Sequence, residues 1–217
     1  EVRYALLVVP VLAIAGGALV DRLMAAAPRA TATAFVAFLL IAAAVVVRLD
    51  TLLLRPDTRI LAKAAVERSV PAGTGIATTV REVRLIPTRE SLEFQAALDP
   101  ASLRSFDRAL LASPGASWPD PRYNLLNLHF VAPEKLSADP VVFLRERGMR
   151  VVVVQYWNLD DLTPVAERIR SSTALVARFA NLPGGMSRDF LGNDLESIWD
   201  VFSAERLGPV VEVRKLE

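Results

Sequence analysis

The chain has 217 residues, 53% of them hydrophobic, with no cysteine and a formal net charge of +1. That apolar excess is too large for an ordinary soluble domain without a membrane contribution. The balance of charge lacks the footprint of a nucleic-acid binder, and zero Cys excludes disulfides and thiolate metal sites.

The excess is concentrated in two uncharged runs, Tyr4 to Val20 and Ala30 to Val47. At 1.5 Å per residue each run reaches roughly 25 to 27 Å, close to the hydrocarbon thickness, so both are expected to be transmembrane helices. A cleaved signal sequence fits the first run poorly, because Glu1 and Arg3 cancel and a second apolar run follows at once. Two buried helices of a soluble core are the other reading. Pro10 and Gly16-Gly17 lie in the first run, and Ala13, Gly17, Ala30 and Ala34 offer small faces for other helices. With no initiator Met, the chain is expected to begin inside a longer polytopic protein whose amino-terminal transmembrane helices are partners of these two.

The loop between the runs carries Arg22 and Arg29, whereas Arg3, Arg48, Arg55, Arg59 and Lys63 lie on the other side. Counting basic residues therefore places the following domain in the cytoplasm. Beyond Val47, acidic and basic residues are equal in number, so that domain is neutral.

Leu49 to Pro56 reads as a membrane-exit linker, and Asp57 as the N-cap of a helix with Ile60, Leu61, Ala64 and Ala65 at helical spacing. Val70-Pro71-Ala72-Gly73 stops it, and Thr74 to Val80 reads as a strand. Arg81 to Ser91 is dense in charge and shows no clear period. Pro100 to Ala112 places Leu103, Phe106, Leu110 and Leu111 on one helical face, and Tyr123 to Val131 reads as a buried strand. Asp139-Pro140 opens a short helix that Gly148 closes, before the apolar strand Met149 to Gln155. Thr163-Pro164 begins a helix whose apolar positions run through Val165, Ile169, Leu175, Val176 and Phe179. A loop from Leu182 to Gly192 follows, and Val210 to Leu216 alternates as a half-exposed final strand.

The expected architecture is membrane plus α/β: transmembrane helices at 4–20 and 30–47, a linker at 49–56, and a soluble domain at 57–217. Alternating helices and strands imply a small sandwich with a mixed or partly parallel sheet.

No catalytic or metal-ligating constellation stands out. His129 is the one histidine and sits in an expected strand. Asp160 and Asp161, just after the valine strand, are placed where ligands gather in α/β folds, and could hold a divalent cation or sugar hydroxyls. Their first reading is as turn and cap residues of the following helix. Tyr156 and Trp157 offer an aromatic pair for a sugar or a membrane interface, or else core packing. These four are the candidate substrate or acceptor contacts. Trp118-Pro119-Asp120-Pro121 reads as either a contact surface or a rigid turn.

The run DTRILAKAAVERSVPAGTGIA, Asp57 to Ala77, resembles the junction after the last membrane helix in bacterial polytopic glycosyltransferases of the GT-C class. These are relatives of protein mannosyltransferases and the aminoarabinose transferase. Asp57, Thr58, Arg59, Pro71 and Gly73 match in kind and order, although a usual aromatic is Ala65 or Val66 here. Phe143-Leu144, the strand after Gly148, and Gly208-Pro209-Val210-Val211-Glu212-Val213 are similar to the ending of many such chains. The resemblance implies a sugar donor on a polyprenyl phosphate and a catalytic carboxylate in an early extracytoplasmic loop that no residue here matches. It also implies an extracytoplasmic domain on the bacterial inner membrane, against the count of basic residues. Any divalent cation would belong to the full-length enzyme. The rival expectation is a two-span anchored binding or assembly module without catalytic activity.

Overall fold

The computed structural model describes residues 16–80, 83–113, 118–137, 139–187 and 198–216. Two compact units divide between Asp50 and Thr51.

In the first unit, residues 16–26 are helical, and helix α1 begins at Pro28; its last residues, through Leu53, belong to the second unit. Most of the expected first span, 4–15, lies outside the described residues. The second span is contained in α1, where the helical stretch from Pro28 is long and apolar enough to cross a membrane. It is the one such helix among the described residues. Phe38, Leu40 and Ile41 are exposed along it, as lipid-facing side chains would be.

The linker expected at 49–56 is mostly helix. No helix breaker precedes Pro56, so α1 continues through Leu53, and Leu52 is fully buried. Asp57 then caps helix α2 (Thr58–Ser69), accepting a hydrogen bond from the Arg59 backbone at 2.8 Å.

The second unit holds a six-stranded sheet of order β2-β3-β1-β4-β6-β5. Its strands are β1 (Gly75–Thr78), β2 (Ile86–Pro87), β3 (Arg122–Asn127), β4 (Met149–Tyr156), β5 (Ala174–Phe179) and β6 (Val210–Lys215). β1 pairs in parallel with β3 and β4, and β2 with β3, whereas β6 runs antiparallel to both β4 and β5. The sheet is therefore mixed and mostly parallel.

Alternation along β4 divides the core. Val152, Val154 and Tyr156 face helices α6 (Pro140–Glu146) and α7 (Pro164–Ser171), joined by Leu144, Ala166 and Ile169. Val151 and Val153 face the other way, with Ala62 and Val66 of α2 and Val211 and Val213 of β6. Both faces are covered, which accounts for the continuous valine run. A third cluster, Leu92, Leu103, Leu110 and Trp118, joins helices α3 (Arg89–Leu98) and α4 (Ser105–Ala112). Helices α5 (Pro133–Ser137) and α8 (Ile198–Ser203) complete the unit.

Several elements differ from the expectations. The helix from Pro164 ends at Ser171, and Leu175, Val176 and Phe179 belong to β5. Their spacing continues the helical period by coincidence, but pairing of Ala174 to Phe179 with β6 prevails over that local pattern. The final strand is buried rather than half exposed, because its charged residues Glu212 and Arg214 neutralise one another under α7. β3 stops at Asn127, whose side chain accepts from the His129 backbone at 3.0 Å, so His129 lies in a short 3-10 turn. α3 starts in the charge-dense stretch, capped by Thr88, and buries little beyond Ser91 and Leu92.

Candidate functional site

A cavity of about 600 Å³ opens where β1 and β3 end. Thr78 closes β1 and Asn127 closes β3, and both line it. Its apolar wall comes from Val83, Leu85, Leu92 and Phe106, while Lys63, Arg84 and Arg104 carry positive charge on its border. The same three basic residues line an adjoining space of about 700 Å³ with Asp57 and Arg59. The volumes suit a small ligand, and the location, outside the carboxyl ends of parallel strands, is where α/β folds bind.

The local sequence explains how this border is built. Lys63 sits one turn into α2, with its ammonium 3.4 Å from Glu67. Arg104 precedes α4, where its backbone N–H donates to Asp107 at 3.2 Å. Arg84 is exposed in the turn before β2 and has no partner among the described residues. Ser91 ties the α3 wall to the sheet, donating to Asn124 at 2.8 Å and accepting from the Leu125 N–H at 2.9 Å. An apolar wall bordered by basic residues, with Asp107 and Asp57 among them, suits an uncharged body bearing an anionic group.

The four candidate contacts lie elsewhere, at the end of β4. Tyr156 is 5% exposed and its hydroxyl donates to Glu212 at 2.8 Å, so it is a core residue and no sugar-stacking platform. Trp157 is half-buried. Asp160 and Asp161 are exposed in the 3-10 turn Leu159–Asp161, where the Asp161 carboxylate accepts from the Asn158 N–H at 2.9 Å. Asp161 thus stabilises the turn itself. No group of three acidic or histidine side chains among the described residues comes together to hold a metal ion. Trp118 is buried beneath Arg89, whose guanidinium stacks 5.3 Å from the ring centroid, so the WPDP loop presents no exposed Trp118.

Sequence reasoning missed a buried charge cluster. Glu212, 1% exposed, accepts from Tyr156, from Arg170 at 3.1 and 3.2 Å, and from Arg214 at 2.7 Å, and Arg178 lies 3.6 Å away. Burial alone would raise the Glu212 carboxyl, but the Tyr156 hydrogen bond and Arg170 outweigh it and hold the pKa below the ordinary range. Burial and the neighbouring carboxylate raise the Tyr156 phenol. The available signal was the Glu-Val-Arg pattern of β6, which puts two opposite charges on one strand face.

The start of α2 and the entry to β6 form a single junction. The Thr58 N–H donates to Leu207 O at 3.0 Å, its hydroxyl donates to Pro209 O at 2.7 Å, and Gly208 at φ 112° lies directly against Asp57 and Thr58. Any side chain at Gly208 would meet the Thr58 hydroxyl. Asp57 also receives the Arg59 guanidinium at 2.9 and 2.7 Å. No family model, curated protein or solved structure matches the chain.

Proposed function

We propose that this chain is the carboxyl-terminal part of a bacterial membrane glycosyltransferase using a polyprenyl-phosphate-linked sugar donor. Its α/β unit caps the catalytic centre and binds the acceptor. The observation that carries this reading is the junction: Asp57-Thr58-Arg59 and Gly208-Pro209, both quoted for the GT-C resemblance, meet through the Thr58 hydroxyl and Pro209 carbonyl. Two segments about 150 residues apart thus meet in one junction, which is compatible with their belonging to one structural unit of that class.

Two further features support it. The helical stretch from Pro28 is suited to crossing the inner membrane. The cavity with Lys63, Arg84 and Arg104 on its rim suits a ligand that joins an apolar or sugar body to a phosphate. On this reading the catalytic carboxylate, and any divalent cation, lie in the full-length enzyme outside residues 1–217, and the α/β unit is extracytoplasmic.

Membranes carrying the full-length protein should transfer labelled sugar from a polyprenyl-phosphate donor, and residues 1–217 alone should not. Transfer by the fragment would overturn this division of labour. Absence of transfer by the full-length protein would overturn the enzyme reading in favour of an anchored binding or assembly module. A compartment-specific reporter fused after Glu217 should be active only outside the cytoplasm.

A further inference from the structure

We infer that Thr78 and Asn127 are the specificity-determining pair of the cavity at β1 and β3, where they read neighbouring hydroxyls of a sugar ring whose anionic group rests on the basic border. This deepens the proposed reading of the cavity and rests on it for the place of the charged group. Strand register is the first reason. β1 and β3 run in parallel with Thr78 opposite Asn127, so the two side chains leave one face of the sheet on strands about 5 Å apart. That face also carries Ile76, packed with Ala62 and Val66 of α2, and both residues line the cavity.

Each of the two presents polar atoms that the fold does not use. Thr78 is 6% exposed, yet its hydroxyl has no hydrogen-bond partner among the described residues. A side chain buried so deeply ordinarily satisfies its hydroxyl within the protein, and here its open side is the cavity. Asn127 accepts from the His129 N–H through Oδ1 at 3.0 Å. Because a backbone N–H can only donate, this bond fixes which end of the amide is the oxygen, and both Nδ2 hydrogens are without a partner among the described residues. Ser91, also in the lining, is already engaged by Asn124 and Leu125.

The pair thus offers one group that donates and accepts and one that donates, with no charge on either. A hydroxyl is the neutral group that meets both, whereas a phosphate finds full charges on Lys63, Arg84 and Arg104 at the border. Phe106, 53% exposed, adds a flat apolar wall for the C–H face of a ring. Hydroxyls along the edge and C–H groups on the face describe a sugar. A purely aliphatic body would leave Thr78 and Asn127 unpaired beneath it.

The test uses the whole chain in detergent. The probes are the 1-phosphates of glucose, galactose and mannose, with cyclohexyl phosphate as a ring that keeps the phosphate and lacks the hydroxyls. Calorimetry should show saturable binding of at least one sugar phosphate, with Kd weakened about tenfold in Thr78→Val and in Asn127→Ser, and any binding of cyclohexyl phosphate changed by less than about twofold. Thr78→Val keeps the branched shape and removes an unpartnered hydroxyl, so its thermal midpoint should not fall, and Asn127→Ser keeps an oxygen to cap the turn at His129. No saturable binding of any sugar phosphate, unchanged affinity in both variants, or an equal loss for cyclohexyl phosphate would overturn the inference. Failure of the enzyme reading shows elsewhere, in membranes of the full-length protein that transfer no sugar while hydroxyl-dependent binding persists.

Discussion

The Thr58 hydroxyl donates to the Pro209 carbonyl at 2.7 Å, joining the first helix of the α/β unit to the entry of its last buried strand. Thr58 is fully buried, so replacing it by Val keeps shape and volume but leaves the Pro209 carbonyl without its donor. Thr58→Val should cost about 1 to 3 kcal/mol of unfolding free energy. Gly208→Ala should cost more, because it combines a left-handed backbone with direct collision against Thr58. Urea denaturation followed by tryptophan fluorescence gives the order, and a Thr58→Val variant as stable as the parent would show the bond to be dispensable.

Glu212 should govern acid stability. Its folded pKa lies below the unfolded value, so its contribution is present above the ordinary carboxylate pKa of about 4.3 and is lost as pH falls through the depressed one. Glu212→Gln leaves three guanidiniums facing a neutral amide, at a cost of about 3 to 5 kcal/mol near neutrality. The gap between parent and variant should stay constant from pH 7 to about pH 5 and close below about pH 4. Denaturation curves across that range check it. A gap that persists undiminished at the acid end would assign the loss to packing instead of charge.

Local chemistry made part of this fold legible in advance. Asp57 before its helix, Asp139-Pro140 before α6, the valine run of β4 and the uncharged core of α1 each carry their signal within a few residues. What escaped depends on distant partners. β5 is an edge strand whose residues are exposed or half-buried, so only its ladder to β6 separates it from the helix that its spacing imitates. Glu212 reads as solvent-facing until Arg170, Arg178 and Arg214, drawn from α7, β5 and β6, cover it. Likewise the cavity takes its border from α2, the turn before β2, and α4, segments adjacent only in the folded chain.

Gly75 should resist substitution for a reason of strand spacing. A Cβ at this position would run into the Gly148 carbonyl, a backbone atom that cannot swing aside. The collision falls where β1 meets β4 and the register already shifts between Gly75 and Ile76. Gly75→Ala should therefore destabilise by about 1 to 3 kcal/mol, as overpacked cores do, while Gly73→Ala, with open space around it, carries only the strain of its positive φ. Comparing the two by thermal unfolding separates steric collision from backbone preference.

Arg84 offers the sharpest separation of function from stability. It is exposed and unpartnered among the described residues, so Arg84→Ala should change unfolding free energy by no more than about 0.5 kcal/mol. Yet it borders both the cavity and its neighbouring space, and on the proposed glycosyltransferase reading the loss of one charge-assisted contact to an anionic ligand there should lower kcat/KM for sugar transfer about tenfold. Leu92→Ala should do the reverse: that side chain is buried in the wall of the cavity, and its truncation should cost about 2 to 5 kcal/mol. Parallel stability and transfer measurements on the two variants decide the matter. If Arg84→Ala leaves transfer unchanged while remaining fully folded, the proposed contact between its guanidinium and the substrate is overturned.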